Sequence, residues 1–543
     1  MFFSFLALAV TAGMCWWRLD FLENTKVVAA DGGILKEAII GQPQSLNPLF
    51  AMLNNADQDI VELTFSGLLE YTNDGELKES LAKEYQISED GKTYQFTLKD
   101  NLLWSDGEPI TADDVLFTIE TIKNPKVQSP LRLTWQDVKV EKVDEKTIKF
   151  SLKEPYSPFL ENFTLKILPS HVLKDIDPQE LSLSQQKIST ISSGPFKIKT
   201  IERDKENKIK KIIFEKNQKF YGKSPFLLEV ELTFVNNENE LLKLKNNETS
   251  LANISPENKN KLRKEFKTYS LFLPRYFALF LNQENAILSQ KEVREALALA
   301  TPKEEIIKEV LMGEGRIVDG PFFEENRIGE DFKKYEFNLE EAKKVLDDAG
   351  WKDTNNDGIR EKTLKEGESP ISLELNLFTI NQPQLQKTAE IIQKNWQEIG
   401  VKLNINALEG EKLYQNNIIE RNYDILLFAQ GLYMIADPSS FWHSTQKEYP
   451  GLNLSLYQQD EVDELLEASI KETDFTKRNE ILKKFGQKLT EDIPAIFLYS
   501  PNYLYAVNKK VKGIQTQFIV NSSKRFIDIE NWYINEKRVP LSN

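Results

Sequence analysis

The chain reads as an α/β protein of two or three packed units, and three observations predict this. Its 543 residues are too many for one hydrophobic core. Stretches alternating apolar and polar residues occur in the first half, as in half-buried strands. In the second half, capped amphipathic helices alternate with apolar strands, the pattern of an α/β layer. Hydrophobic content of 40% and aromatic content of 10% indicate folded material, since a disordered chain is poorer in both.

The N-terminal segment, residues 1–17, stands apart. "MFFSFLALAVTAGMCWW" is an uncharged apolar run ending in Trp16 and Trp17, which suit a membrane–water interface. The favoured reading is an uncleaved signal-anchor, because no small-x-small cleavage site closes the run. The alternatives are a cleaved secretory signal peptide, which the missing basic n-region disfavours, and a lipoprotein signal at Cys15. Met14 stands before that cysteine, where a small residue is expected. All three readings export the remainder to the extracytoplasmic face of the membrane. Residues 18–33 then read as a stalk.

"ILKEAIIGQPQSLNPLF" begins as a strand and is broken by Pro43 and Pro48; "TYQFTLK" and "TIKFSLK" are further strands. Between them lies "LWSDGEPITADDVLFTIE". Asp106 and Gly107 form its turn, Thr111 and Asp114 a capping box, and Asp113 favours the helix dipole. Val115, Leu116 and Ile119 are the expected buried face. "NNENELLKLKNNETS" reads as a solvated helix and loop.

In "SQKEVREALALATPKEEIIKEVLMG" two helices are expected, the second with Thr301 as N-cap, Pro302 at its first position and Glu304 at its third. "NLEEAKKVLDDAGW" and "QLQKTAEIIQKNWQEIG" end on Gly350 and Gly400, and "VKLNINAL" and "DILLFAQ" follow as strands.

Composition excludes several functions. With 69 basic and 84 acidic residues the net charge is −15, and no basic stripe with interleaved aromatics occurs, so nucleic acid is no partner. One cysteine excludes an intrachain disulfide, and two histidines, His171 and His443, leave little for zinc. Both histidines read as structural. No nucleophile elbow, zinc-protease pair, Walker lysine or Rossmann glycine string appears, so neither an enzyme nor a cofactor is expected. "DTNNDGIRE" imitates a calcium loop, but Leu364 stands at the twelfth position where a bidentate Glu belongs; a plain Asx-rich turn is expected.

"LWSDGEPITADDVLFTIE" resembles the hallmark segment of family 5 extracellular solute-binding proteins, the oligopeptide, dipeptide and nickel-binding receptors of ABC importers. "SLNPLF", "SSGPFKI", "KNQKFYGKSP", "VREALALATPKEEIIKEVLMGEG", "LEEAKKVLDDAGW", "NYDILLFAQGLYMIADPSSFWHS" and "VDELLEASI" resemble further landmarks, in order, over roughly residues 34 to 520.

The resemblance implies a two-lobed periplasmic-binding-protein-like fold, type II, with an extra subdomain in lobe I. Residues 34–272 would form lobe I, 273–498 lobe II, and 499–543 the return to lobe I. Two hinge crossings near "LFLPRYFALFLN" and "AIFLYSPNYLY" would let the lobes close on a ligand. It further implies a monomer binding an oligopeptide by main-chain pairing and delivering it to ABC permease subunits. Another solute (a nickel chelate, haem or an oligosaccharide) and a permease-independent peptide sensor or chaperone are the alternatives.

Site residues follow by resemblance. Gln44, Ser45 and Leu49 would reach ligand backbone from lobe I; Gln430, Gly431, Leu432 and Tyr433 would face it from lobe II. Family receptors place an aspartate in that loop for the ligand amine, but here the position falls on Met434 or Ile435. Asp437 either substitutes or caps the following helix. Tyr433, Tyr499 and Tyr505 are candidate cleft linings, with core packing as the alternative.

Overall fold

The structure, a computed structural model, describes residues 24–541 apart from 245–248, 252, 324–327, 330, 368 and 432–436. The apolar run of residues 1–17 lies outside the described residues. Among those described, no helix is long and apolar enough to cross a membrane.

Two large sheets organise the molecule. The first has seven strands, ordered Phe266–Leu271, Tyr503–Asn508, Thr249–Leu251, Ile34–Ile40, Glu229–Val235, Ile209–Lys216 and Phe196–Arg203. Ile34–Ile40 runs parallel to both its neighbours, as expected of a strand buried by layers on either side. The second sheet has six strands, ordered Gly315–Ile317, Ala495–Pro501, Arg275–Leu281, Ile425–Gly431, Glu374–Ile380 and Lys402–Leu408. A four-stranded antiparallel sheet containing Thr93–Leu98 and Thr147–Ser151 joins the first lobe's core, where Trp135, Phe150, Phe159 and Phe163 interlock. This α/β arrangement of two sheet-based lobes is the fold class the sequence implies.

The alternation of Arg275–Leu281 shows how the second lobe is filled. Leu279 and Leu281 join a core with Trp351, Leu375 and Trp396; Tyr276, Ala278 and Phe280 join another with Trp442 and Phe485. Successive side chains point to opposite faces, so one strand serves both cores.

Local signals hold where the contacts are local. Thr111 and Asp114 form the complete capping box of Ala112–Lys123, and Gly107 takes φ +100° in the preceding turn. Val115 and Ile119 are buried, but Leu116 is only half-buried; Thr118 and Ile122 complete the inner face. Gly350, at φ +83°, terminates Leu339–Asp348 through a left-handed conformation that side chains disfavour.

Two expectations need correction. Thr301 does not cap Lys303–Val310: its hydroxyl donates to the Leu297 carbonyl at 2.7 Å and accepts from Trp396 Nε1 at 3.2 Å. The segment read as a stalk is partly folded, because Thr25–Ala30 pairs antiparallel with Asn535–Pro540. In the calcium-like stretch, Asp353 accepts the amides of Asp357 and Gly358 at 3.2 and 3.0 Å, an Asx-type turn. Leu364 packs against the second lobe's core.

Candidate functional site

The chain passes between the sheets twice. Leu271 ends a strand of the first sheet and Arg275 begins one of the second; Pro501 and Tyr503 make the reverse crossing about Asn502. Register shows which edges these crossings join. Leu271 lies opposite Tyr503, and Leu251 opposite Ala506, beside the carboxyl end of Ile34–Ile40. In the second sheet Arg275 lies opposite Gly431, the last residue of Ile425–Gly431. Both crossings therefore leave from carboxyl edges, the edges at which open α/β sheets bind ligands.

On the first lobe this edge continues into Gly41–Ser45. Asp57 holds the loop: Oδ1 accepts the Gln44 amide at 2.8 Å and Oδ2 the Ser45 amide at 3.0 Å. Burial pushes the Asp57 carboxyl up to about 6, the two amides opposing the shift. Gln44 is exposed, and Ser45 Oγ accepts the Asn47 amide at 3.1 Å. Below them, Arg525 binds Glu37 through Nε at 2.8 Å and Asp59 through both terminal nitrogens at 2.6 and 2.7 Å. Tyr505 donates to Glu37 at 2.5 Å.

On the second lobe, Gln430 is buried and accepts from the Tyr276 hydroxyl at 2.6 Å, while Gly431 is exposed at the strand end. Leu432 and Tyr433, with Met434 and Ile435, lie outside the described residues. Asp437 does two things at once. Its Oδ1 accepts the Ser439 amide at 2.9 Å, and its Oδ2 accepts the Tyr156 hydroxyl, from the other lobe, at 2.7 Å. Burial and then the Asp437 charge drive the Tyr156 hydroxyl far above its ordinary range, so it stays a donor. Arg478 is buried within reach of Asp437, Glu161 and Tyr156.

Three expected contact residues are internal instead, which corrects their reading. Leu49 is fully buried in the first lobe's core. Tyr499 packs on Phe277 with ring centres 5.2 Å apart and shares a hydrogen bond with Thr388 at 3.1 Å; burial pushes its hydroxyl up to about 12. Tyr505 is committed to Glu37 beneath the edge. Of the expected site, Gln430 and Gly431 end a strand at the carboxyl edge, Gln44 and Ser45 lie in the loop that follows Ile34–Ile40, and Asp437 meets Tyr156 of the other lobe. His171 pairs with Asp106 at 2.9 Å, and His443 accepts the Thr445 amide at 3.2 Å, so each has a structural partner.

Sequence reasoning missed Tyr156, Asp57, Arg275 and Arg478. A signal existed for Arg478, which shares the helical register of Leu482, Phe485 and Leu489 in Phe475–Asp492. Arg275 likewise heads an otherwise apolar strand.

Comparison with known proteins agrees with this architecture. The family model for bacterial extracellular solute-binding proteins, family 5, matches residues 76–451. The oligopeptide-binding protein AppA of Bacillus subtilis is 27% identical over 521 residues, 93% of this chain and 92% of its own. Its structure in complex with a nonapeptide superposes with a TM-score of 0.70, covering 94% of this chain and 100% of that one. The probable D,D-dipeptide-binding periplasmic protein DdpA of Escherichia coli is 28% identical over 517 residues, 91% of this chain and 94% of its own. The structure of NikZ from Campylobacter jejuni in complex with Ni(L-His) is 27% identical, with a TM-score of 0.72 over 93% of this chain and 100% of that one.

Proposed function

The chain belongs to the bacterial extracellular solute-binding proteins of family 5, and on that premise we propose that it is the peptide receptor of an ABC importer. An extended oligopeptide lies between the two carboxyl edges. Main-chain carbonyls of Gln44 and Ser45 on one lobe, whose amides Asp57 already holds, and main-chain groups of Gln430, Gly431 and the following Leu432 and Tyr433 on the other, pair with it as an added strand does. Lobe I comprises residues 34–272 with the return from about Tyr503, four residues later than the sequence implied because Ala495–Pro501 is a strand of the second sheet, and lobe II the stretch between. The N-terminal segment tethers the protein at the membrane, where as a monomer it hands its cargo to permease subunits without chemical change.

The observation that carries this reading is the meeting of two carboxyl edges at both crossings, with exposed Gln44 in the loop after one central strand and exposed Gly431 at the end of another. Relatives named for oligopeptide and D,D-dipeptide binding support it at nearly full length. Asp437 accepts the Ser439 amide and the Tyr156 hydroxyl, so recognition of a ligand amine by Asp437 requires displacing Tyr156.

Mass spectrometry of solute co-purified with the full chain tests the proposal. Peptides of a narrow length range are expected; a nickel–amino-acid chelate or a saccharide in their place overturns it.

A further inference from the structure

Arg275 sits where the first crossing enters the second lobe, at the start of a strand whose other residues are apolar. Its guanidinium makes no hydrogen bond or ion pair with the described residues, and Nε is buried without a partner. Burial works against the charge, and the residues that favour it are Tyr499 of one lobe and Tyr503 of the other. The fold does not treat its fully buried arginines this way. Arg525 meets two carboxylates, and Arg294 donates to the carbonyls of Leu288, Asp492 and Ile493.

Even partial desolvation of a cation is unfavourable when no anion neutralises it, so a half-buried arginine without a partner among the described residues calls for a functional reason. Arginine cannot lose its proton to escape that cost. Its place supplies the reason: it is the backbone partner of Gly431, at the edge assigned to the ligand.

We propose that Arg275 is the anion receptor of the cleft, pairing with a carboxylate of the bound solute, either the C-terminus of a peptide or an acidic side chain. The inference rests on the peptide-receptor reading and narrows its substrate class to solutes carrying an anionic group at the hinge end of the cleft. The pair forms between the lobes, so it favours the closed state: a carboxylate held there meets Arg275 of lobe II while facing Tyr503 of lobe I. Tyr503 donates no proton in this exchange; burial holds its hydroxyl far above its ordinary range.

Calorimetric titration of the full chain and of Arg275→Gln tests this with three sets of short alanine peptides: free C-termini, amidated C-termini, and amidated peptides carrying one glutamate. The native protein is expected to prefer either the free acids or the glutamate peptides over plain amides by at least ~10-fold, the gain of a charge-assisted hydrogen bond. Arg275→Gln should reduce that preference to about twofold or less, with Arg275→Lys between them. The melting temperature of unliganded Arg275→Gln should hold or rise, because an unpaired charge is removed. A structural arginine would instead lower it.

An equal preference in both proteins rejects Arg275 as receptor while leaving peptide binding intact, and so does a lowered melting temperature. If no peptide binds, glutarate decides. Stabilisation of the native protein but not of Arg275→Gln keeps the anion receptor and discards the peptide; no response in either discards both.

Discussion

Arg525 and Arg275 both act on Tyr503, yet they serve opposite ends. Every direction of Arg525 is filled by Glu37, Asp59 and the Ser522 carbonyl, and all three partners belong to the first lobe. Arg275 stands between the lobes with its guanidinium unpaired among the described residues. The same division runs through the molecule: Glu62 is clasped by Lys166 at 3.1 Å and Lys524 at 2.7 Å inside one lobe. Across the lobes, near the second lobe's helices, Asp437 is held by one hydroxyl, Tyr156. Saturated charge clusters hold the first lobe together, whereas the polar contacts between lobes, Tyr156 with Asp437 and Glu314 with Lys259 and Ser270, are ones that opening of the junction would exchange for water. A difference of a few kcal/mol suffices to move such an equilibrium.

The largest effect should come from emptying the saturated cluster. Arg525→Leu leaves Glu37 and Asp59 facing each other, both fully buried. It should cost about 3–5 kcal/mol, the penalty for breaking a buried pair from one side, read as a lower urea midpoint. A loss below about 1 kcal/mol would erase the contrast between the two arginines.

Tyr156→Phe comes next. It removes the hydroxyl donated to Asp437 and should shift the closed–open balance of the unliganded protein by roughly 1.5–3 kcal/mol, the range for hydrogen bonds to charged groups. The radius of gyration from small-angle scattering should rise while the melting temperature of the lobes changes little. Unfolding of a lobe would mean that Tyr156 belongs with the saturated contacts instead.

Asp57 offers a smaller effect in the pH dependence. Its folded pKa, about 6, lies above the ordinary 3.8, so folding favours the protonated form. Its contribution is complete below 3.8 and lost as pH rises through about 6. Asp57→Asn should therefore remove about 1 kcal/mol of the stability gained between pH 7 and 5. Glu62 cannot mimic this. Burial alone would raise its pKa, but Lys166 and Lys524 outweigh burial and bring it to about 2. Its stabilisation is present above 4.5 and lost only as pH falls toward 2.

What the sequence disclosed follows the range of the contacts involved. The Thr111–Asp114 capping box and the Gly350 terminus depend on neighbours within a few residues, and both form as read. Thr301 carried the same local signal but finds its partner in Trp396, ninety-five residues away. Thr25–Ala30 looked like a stalk because its partner strand is at the other end of the chain. Tyr499 and Tyr505 show why the site was harder to read: a tyrosine suits a cleft wall or a core equally, and only tertiary packing decides. The ligand-facing groups pose the deeper difficulty, since main-chain pairing asks nothing of side-chain identity.

That property supplies the most direct measurement of the central claim, that a peptide is held by its backbone between two carboxyl edges. Peptides of one length and common charge are titrated into the full chain by calorimetry, once with varied neutral side chains and once with successive N-methylated amides. The account predicts that side-chain changes alter affinity by no more than about 100-fold, ~3 kcal/mol, whereas N-methylation at one or more central amides weakens binding beyond that span. Tolerance of N-methylation at every position, or no binding below millimolar peptide, would contradict it.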